Sequence, residues 1–294
     1  MPSPFSPIPL TEAAHIASYS LQAPDHPEIE VAQAQHRIQL VNLWQIAPGS
    51  RILELGCGQG NATAVLAHAA GPDGRIDAVD PGALDYGAPF TLAQAQEHLT
   101  QSAVGGRIRW HQAEPEDFLR QAPSETWDVA VLSHCVWYFA APAVLAGILG
   151  ALRGRVKRVC VAEYAMHATD RAAVPHVLAV LARGMLEAFR AESSENVRSP
   201  LTPKAIKDIA AEAGWVMSGT ESMVVPEVGL LDGKWEVGSV KSKGFLNEIA
   251  ESITDPRVEA VVQLSRDAVV TAVERLEDQP VRTMDVWVAQ FEEK

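Results

Sequence analysis

Three glycines at every second position stand out as residues that could support chemistry. Residues 52–60 read ILELGCGQG, so Gly56, Gly58 and Gly60 directly follow an apolar run that contains one acid, Glu54. Glycine lacks a Cβ and adopts positive φ, so such a loop can turn tightly and bring its amides against a ligand. A plain tight turn is the structural alternative, because a glycine pattern alone is not specific.

A second acid favours a ligand site at this loop. Asp80 lies about twenty residues beyond Gly60, where a carboxylate can bind both hydroxyls of a ribose. This arrangement suits NAD and S-adenosylmethionine alike. The dinucleotide fingerprint G-x-G-x-x-G, however, needs glycine or alanine where this chain has Asn61, and Glu54 suits a cofactor with a cationic end better than a pyrophosphate.

Alternating strands and helices would position this loop. The hydrophobic pattern predicts strands at 51–55, 75–79, 107–111, 127–133 and 156–163, with helices at 61–70, 92–102 and 142–152 between them. Strands separated by helical crossovers form mostly parallel sheets that are covered on both faces. The pattern therefore predicts a doubly wound α/β domain. A helix at 202–213, a strand at 215–226 and a last strand at 284–291 complete it.

Three amphipathic helices do not fit the alternation. They are expected at 30–45, at 175–192 and from Asp255 onward. We expect them to cover the sheet as a cap, which would serve as a substrate lid, as extra core packing or as a dimer contact. The expected divisions are an N-terminal helical segment at 1–48, a cofactor-binding core at 49–164, a cap insertion at 165–201 and a C-terminal part at 202–294 with a helical insertion at 229–280.

Composition limits the classes of partner. The chain has 294 residues, 47% of them hydrophobic, which is enough for one enlarged domain with a large core. A net charge of −13 without a basic run argues against nucleic acid and anionic membranes as partners. No signal-peptide pattern and no membrane-spanning run is present, so we expect a cytoplasmic protein that binds small molecules. The three cysteines show no C-x-x-C spacing, which predicts reduced, metal-free thiols.

Four segments together resemble the class I S-adenosylmethionine-dependent methyltransferases. The segments are ILELGCGQG at 52–60, IDAVDPG at 76–82, QAEPEDF at 112–118 and WDVAVLSHCVWYF at 127–139. The first motif is specific and the later ones are weak individually. The resemblance implies an α/β fold of the Rossmann-like methyltransferase type, with a doubly wound, mostly parallel seven-stranded sheet, helical cap insertions and S-adenosylmethionine as the cofactor.

The resemblance also assigns roles at the cofactor. Glu54 and the loop 56–60 would hold the methionine amino end and the sugar, Asp80 the ribose hydroxyls, Pro81 the face of the adenine, and the Ala113 amide its edge. The family often has an Asp before this alanine, where the present chain has Gln112, so Gln112, Glu114 or Asp117 could supply that contact. The cofactor residues implied are Glu54, Gly56, Cys57, Gly58, Gly60, Asp80, Pro81, Gln112, Ala113, Glu114 and Ser133.

The methyl acceptor needs its own set of residues. Methyl transfer requires alignment, exclusion of water and, for an oxygen acceptor, removal of a proton. His134 follows the fourth strand and is the first candidate for general base, with a structural hydrogen-bonding histidine as the alternative. Weaker candidates are His111, His167, His176 and Glu163. The consecutive aromatics Trp137, Tyr138 and Phe139 cannot all face one core, and the predicted substrate residues are His134, Trp137, Tyr138, Glu163 and His176.

Missing motifs narrow the acceptor. The fourth strand ends in Ser133, His134 and Cys135 rather than in the Asp/Asn-Pro-Pro-Tyr/Phe turn of methyltransferases that act on nucleobase or protein amide nitrogens. No carboxylate cluster follows it that would hold magnesium. The cap and aromatic residues are similar to those of enzymes that tailor secondary metabolites. We therefore expect metal-independent O-methylation of a bulky small molecule, by a monomer or a homodimer. The alternatives are N-methylation, cofactor binding without methyl transfer and an NAD-dependent oxidoreductase.

Overall fold

One sheet forms the centre of the protein. The computed structural model describes residues 5–193 and 195–294, and within these residues eight strands are present. They are β1 Arg51–Leu55, β2 Arg75–Asp80, β3 Ile108–Gln112, β4 Trp127–Ser133, β5 Val156–Tyr164, β6 Trp215–Met217, β7 Ser222–Val224 and β8 Val286–Glu293. Their order is β3-β2-β1-β4-β5-β8-β6, with β7 also paired to β8. Strands β1 to β5 are parallel and β8 is antiparallel, which confirms the doubly wound, mostly parallel sheet.

The edge of the sheet differs from the prediction. The single strand predicted at 215–226 is broken into β6 and β7, which pair with opposite ends of β8. Met217 lies opposite Phe291 and Ser222 lies opposite Val288, so residues 218–221 face only residues 289–290. The excess residues bulge at Gly219, whose φ is +74°. The predicted count of seven strands is therefore low by one, although β6 and β7 share one edge position.

Helices cover both faces of the sheet. They are α1 Ala13–Ala17, α2 Pro27–Trp44, α3 Asn61–Ala70, α4 Leu92–Thr100, α5 Pro115–Gln121, α6 Pro142–Leu152, α7 Val174–Glu187, α8 Pro203–Glu212, α9 Asp232–Lys241, α10 Lys243–Ser252 and α11 Pro256–Glu274. The predicted helix at 30–45 begins earlier, at Pro27, and the helix predicted at 175–192 ends at Glu187. Helices α9 and α10 lie within the helical insertion predicted at 229–280, although no separate bounds were predicted for them, because Gly233 and Gly238 interrupt the apolar pattern of α9.

Strand alternation divides the core into two layers. On β1, Ile52 belongs to the layer that includes Trp44 of α2, whereas the next residue, Leu53, belongs to the layer that includes Ile148 of α6. Successive strand side chains point to opposite faces, so this change of layer is expected. Helix α2 thus packs directly on the sheet, and it lies on the same face as α3 and the end of the glycine loop.

A third core belongs to the cap. Leu186 of α7, Val240 of α9, Ile249 of α10 and Val262 of α11 are all buried in it. The segments predicted as separate cap insertions therefore pack against each other through one apolar cluster. No helix among the described residues is both long and apolar enough to cross a membrane.

Candidate active site

The glycine loop lies between β1 and α3, and its three glycines are required for different reasons. The φ angles of Gly56, Gly58 and Gly60 are +77°, +52° and +95°. A Cβ at Gly56 would lie 2.4 Å from the Cβ of Cys135, and a Cβ at Gly60 would lie 2.9 Å from Leu99. At Gly58 a Cβ would meet no atom of the described chain within 4 Å. Packing thus demands the first and third glycines, whereas the middle one leaves space for a ligand.

A cavity of about 550 Å³ opens beside this loop. It lies beyond the carboxyl ends of β1, β2 and β4, where the strand order reverses, which is the usual ligand site of such sheets. Five of the residues implied for the cofactor line it: Gly56, Gly58, Asp80, Pro81 and Glu114. Its volume and its position fit an adenosine-bearing ligand.

Asp80 orders the floor of the cavity. One carboxylate oxygen accepts the amide hydrogen of Gly58 at 2.8 Å, and the other accepts that of Gly82, also at 2.8 Å. Each carboxylate oxygen has two lone pairs, so one on each remains for a ribose hydroxyl. Asp80 therefore both fixes the loop and offers two acceptors to a ligand.

Several residues implied for the cofactor are occupied elsewhere. The Ala113 amide donates to the Asp80 carbonyl oxygen at 3.1 Å, so it is not free for adenine. The Gln112 side-chain amide donates to the carbonyl oxygen of Gly82 at 3.1 Å. Burial raises the pKa of the Cys57 thiol, which lies below the loop rather than on the cavity surface. For Gln112, Ala113 and Cys57 the structure thus shows packing and main-chain contacts.

Sequence reasoning did not identify the outer wall of the cavity. Tyr86, which precedes α4, and Asn196 and Arg198, which follow α7, line the cavity. The Tyr86 hydroxyl donates to the Asn196 side-chain oxygen at 3.0 Å and so bridges two segments distant in sequence. Both segments lie in loops without periodic hydrophobic patterns, so the sequence carried no signal for this contact.

Glu54 is a buried acid beside the glycine loop. It is 1% exposed, and the Thr63 hydroxyl donates to its carboxylate at 2.6 Å. Burial raises the pKa of Glu54 to about 8, and the neighbouring charge of Asp80 acts in the same direction. A cation near Glu54 would favour its ionised form. Glu54 does not itself line the cavity, so its contact with the cationic end of S-adenosylmethionine stays a prediction.

His134 forms a buried pair with a second histidine. Its Nε2 atom lies 2.9 Å from the Nε2 atom of His36 in α2, and the two side chains are 8% and 2% exposed. Burial lowers the pKa of His36 well below its ordinary value, so this ring is neutral. One Nε2 atom must therefore carry the shared hydrogen and the other must accept it. His36 was not predicted, because its partner lies on another element.

The turn after β4 is held by Glu163. The carboxylate of Glu163 accepts hydrogen bonds from the amides of Val136 and Tyr164, each at 3.0 Å, and a longer one from Trp137 at 3.4 Å. The expected substrate contact of Glu163 is thus replaced by main-chain contacts. His134 Nδ1 lies 3.8 Å from the same carboxylate, which is too long for a hydrogen bond but close enough for electrostatic interaction.

The three consecutive aromatic residues do not all face the core, as expected for neighbours in the sequence. Tyr138 and Phe139 line the cavity. Trp137 is 1% exposed and its indole donates to the Leu201 carbonyl oxygen at 2.8 Å, so it belongs to the core rather than to a substrate surface. Tyr138 is 46% exposed and lines the cavity.

The other candidate histidines have defined partners. His111 pairs with Asp77 at 2.9 Å, and His167 pairs with Asp285 at 2.6 Å. His176 is fully buried, its Nδ1 atom accepts the Met284 amide hydrogen at 3.1 Å, and burial lowers its pKa to about 4. A neutral imidazole that accepts at Nδ1 carries its hydrogen at Nε2. His176 therefore presents a donor at Nε2.

His36, His134 and His176 belong to a larger group of buried polar side chains that we call the inner polar cluster. In it the Tyr164 hydroxyl donates to one oxygen of Asp232 at 2.9 Å, and the Gln33 amide donates to the other at 3.3 Å. The Tyr164 ring lies 5.3 Å from the ring of Trp137, the residue before Tyr138 of the cavity wall. The members of the cluster are Gln33, His36 and Arg37 of α2, Ser133 and His134 after β4, Tyr164, His176 of α7 and Asp232 of α9.

Comparisons with known proteins agree with this geometry. A family profile described as a methyltransferase domain matches residues 52–158. Two proteins of Diaporthe leptostromiformis, methyltransferase phomM' and methyltransferase phomM, are each 31% identical over 287 aligned residues, which cover 82% of this chain and 73% of theirs.

Solved structures show the same architecture. A cyclopropane-fatty-acyl-phospholipid synthase-like protein from Lactobacillus casei superposes with a TM-score of 0.84 and 27% identity, covering 96% of this chain and 99% of its own. A Galdieria sulphuraria protein described as a candidate sarcosine dimethylglycine methyltransferase has a TM-score of 0.51 and 12% identity, with 96% and 97% covered. The second likeness concerns the fold alone.

The middle glycine provides a test of the cofactor site. We expect Gly58→Ala to weaken S-adenosylhomocysteine binding more than about tenfold in calorimetry, because its Cβ would project into the cavity. The positive φ should also lower the free energy of unfolding by about 1–2 kcal/mol. Gly49→Ala is the matched control, since Gly49 has φ +80° and equally open surroundings at the start of β1. Equal affinities in the two variants would contradict the assignment.

Glu54 predicts a pH dependence of stability. Its pKa of about 8 lies above that of a glutamate in the unfolded chain, so the native state binds the extra proton. The stabilisation of the native state that comes from this bound proton is complete below about pH 4 and is lost as the pH rises through 8. We expect Glu54→Gln to remove on the order of 2 kcal/mol of the decline between pH 6 and 8, measured by urea unfolding. The exposed Glu125→Gln should keep the wild-type slope, and a wild-type slope in Glu54→Gln would refute the prediction.

Proposed function

The chain belongs to the S-adenosylmethionine-dependent methyltransferases, and we propose that it methylates an oxygen atom of a bulky small molecule. S-adenosylmethionine, when bound, supplies a methyl group on a positively charged sulfur. The buried pair of His134 and His36 carries the proposal for oxygen, because a hydroxyl acceptor must lose a proton and imidazole exchanges protons near neutral pH.

The position of His134 suits proton removal. Its neighbour Cys135 lines the cavity, whereas His134 itself is buried in the inner polar cluster. His36 shares one hydrogen with His134 and so fixes the orientation of that ring, while the low pKa of His36 keeps the abstracted proton on His134. The Glu163 carboxylate, 3.8 Å from His134 Nδ1, favours the positive charge that then develops.

The remaining parts of the chain orient the cofactor and the acceptor. The glycine loop and Asp80 would hold the sugar and the methionine end, and Glu54 would face the cationic group. Helices α2, α7 and α9 enclose the inner polar cluster and keep water from the acceptor. Tyr138 and Phe139 offer flat apolar surfaces, which support a bulky aromatic secondary metabolite as the acceptor.

Nitrogen methylation is the second candidate. Burial would raise the pKa of Asp232, but the positive charge of Arg37 and the Tyr164 hydroxyl hold it below its ordinary value. An ionised carboxylate inside the cluster suits an amine. A nitrogen acceptor that is already neutral needs no base before methyl transfer, so the two candidates differ in their dependence on His134.

The test uses labelled methyl transfer to a metabolite extract. We expect the carbon shift of the transferred methyl group to identify an O-methyl product. His134→Asn, which tolerates the φ of +54° at this position, should lower single-turnover rates about 10²–10⁴-fold while S-adenosylhomocysteine affinity stays within about twofold. The loss should shrink as the pH rises, because the acceptor then ionises without a base.

His111→Asn is the matched control, since His111 on β3 pairs with Asp77 on β2. It should keep the wild-type rate and the wild-type pH profile. Parallel pH profiles for wild type and His134→Asn, offset by less than about threefold, would remove His134 from the mechanism. An N-methyl product would favour the second candidate.

A further inference from the structure

Buried polar atoms without partners concentrate in the inner polar cluster. Most buried polar atoms in proteins make hydrogen bonds, because an unpaired one loses its interaction with water and gains nothing in return. Among the described residues the unpaired atoms in this cluster are Gln33 Oε1, His36 Nδ1, Arg37 Nε and Nη1, Ser133 Oγ, His134 Nδ1 and His176 Nε2. Their concentration in one place points to a bound molecule as the missing partner.

Arg37 is the costliest member of this set. Its side chain is 8% exposed, and neither Nε nor Nη1 makes a hydrogen bond within the described chain. The nearby acid Asp232 responds to its charge, but the oxygens of Asp232 accept from Tyr164 and Gln33 instead. A buried guanidinium without a hydrogen-bonded acceptor destabilises the fold, so Arg37 is the side chain in this cluster that gains most from an anionic ligand.

We propose that Arg37 binds a carboxylate group of the methyl acceptor. The proposal rests on the proposed function in one respect: the molecule that enters the cluster is taken to be the methyl acceptor. The planar guanidinium of arginine matches a carboxylate with two parallel hydrogen bonds. The fixed Nε2 donor of His176 and the hydroxyl of Ser133 add further donors, so the unpaired set is rich in groups that an anion satisfies.

The charges favour a carboxylate over a phosphate. Asp232 is ionised in the same cluster, so a dianionic group would be repelled by it and balanced by only one guanidinium. A monoanionic carboxylate is repelled by Asp232 only about half as strongly as a dianion, and it can accept from both unpaired guanidinium nitrogens of Arg37. The charge of Arg37 acts on His36, so the carboxylate site lies near the histidine pair, and the acceptor class is a hydroxycarboxylic acid.

The experiment uses benzoate and its uncharged analogue benzamide as probes. Calorimetry is performed on protein saturated with S-adenosylhomocysteine, so binding is measured without methyl transfer. We expect wild type to bind benzoate at least about tenfold more tightly than benzamide, and Arg37→Gln to lose this preference. Arg37→Lys keeps the charge but not the planar fork, and should retain part of the preference.

Stability distinguishes a binding role from a structural one. Arg37→Gln should melt at or above the wild-type temperature in the absence of probes, because it removes an unpaired buried charge. Its affinity for S-adenosylhomocysteine should stay within about twofold of wild type. A variant that fails to fold, or that melts well below wild type, would show that Arg37 has partners in the fold and would overturn the proposal.

The exposed Arg51 provides the matched control. Arg51 is the first residue of β1 and pairs with Glu125. The Arg51→Gln variant should therefore keep the benzoate preference. The proposal is overturned if wild type binds the two probes equally, if it binds neither at millimolar concentration, or if Arg37→Gln keeps the preference. An N-methyl product together with an Arg37-dependent preference would refute O-methylation alone, whereas an O-methyl product without the preference would refute the carboxylate site alone.

Discussion

The site depends on a close approach between the loop after β1 and the turn after β4. A Cβ at Gly56 would lie 2.4 Å from the Cβ of Cys135, so only glycine allows the two segments to meet. The contact exists because β1 and β4 are adjacent at the point where the strand order reverses. Glu163, from the neighbouring strand, fixes the turn on its other side through the Val136 amide. The cofactor loop and the segment that carries His134 therefore form one rigid unit.

Helix α2 connects this unit to the cap. Near its start, Glu30 accepts a hydrogen bond at 2.8 Å from Asn61, the first residue of α3 after the glycine loop. One turn further on, Gln33 contacts Asp232 of the cap, and His36 contacts His134. A single helix thus touches the cofactor loop, the cap and the histidine pair. The sequence predicted α2 as part of a cap that would serve as a substrate lid, as core packing or as a dimer contact. The observed arrangement explains why α2 contributes side chains to the site.

Local signals predicted several of the residues that line the cavity, and long-range contacts account for what was missed. The glycines and Asp80 follow from turn geometry and strand ends, both of which depend on neighbouring residues. By contrast, His36 contacts His134, which lies 98 positions away in the sequence. The hydrogen on Nε2 of His176 is inferred from the contact of its Nδ1 atom with the distant Met284 amide. The Ala113 amide was misassigned because its carbonyl partner lies on the adjacent strand. Sequence patterns specify elements and their order, but not which side chains pair across them.

The packing around Cys135 affects whether the methyl donor can alkylate the protein itself. Its side chain lines the cavity that would hold a methyl donor, and thiolate is among the strongest nucleophiles in proteins. Burial raises the pKa of the Cys135 thiol well above its ordinary value, and the thiol donates to the Leu55 carbonyl oxygen at 3.1 Å. The sulfur is therefore kept as an unreactive thiol beside an electrophile. The packing that forces glycine at position 56 thus also protects the protein from alkylating itself.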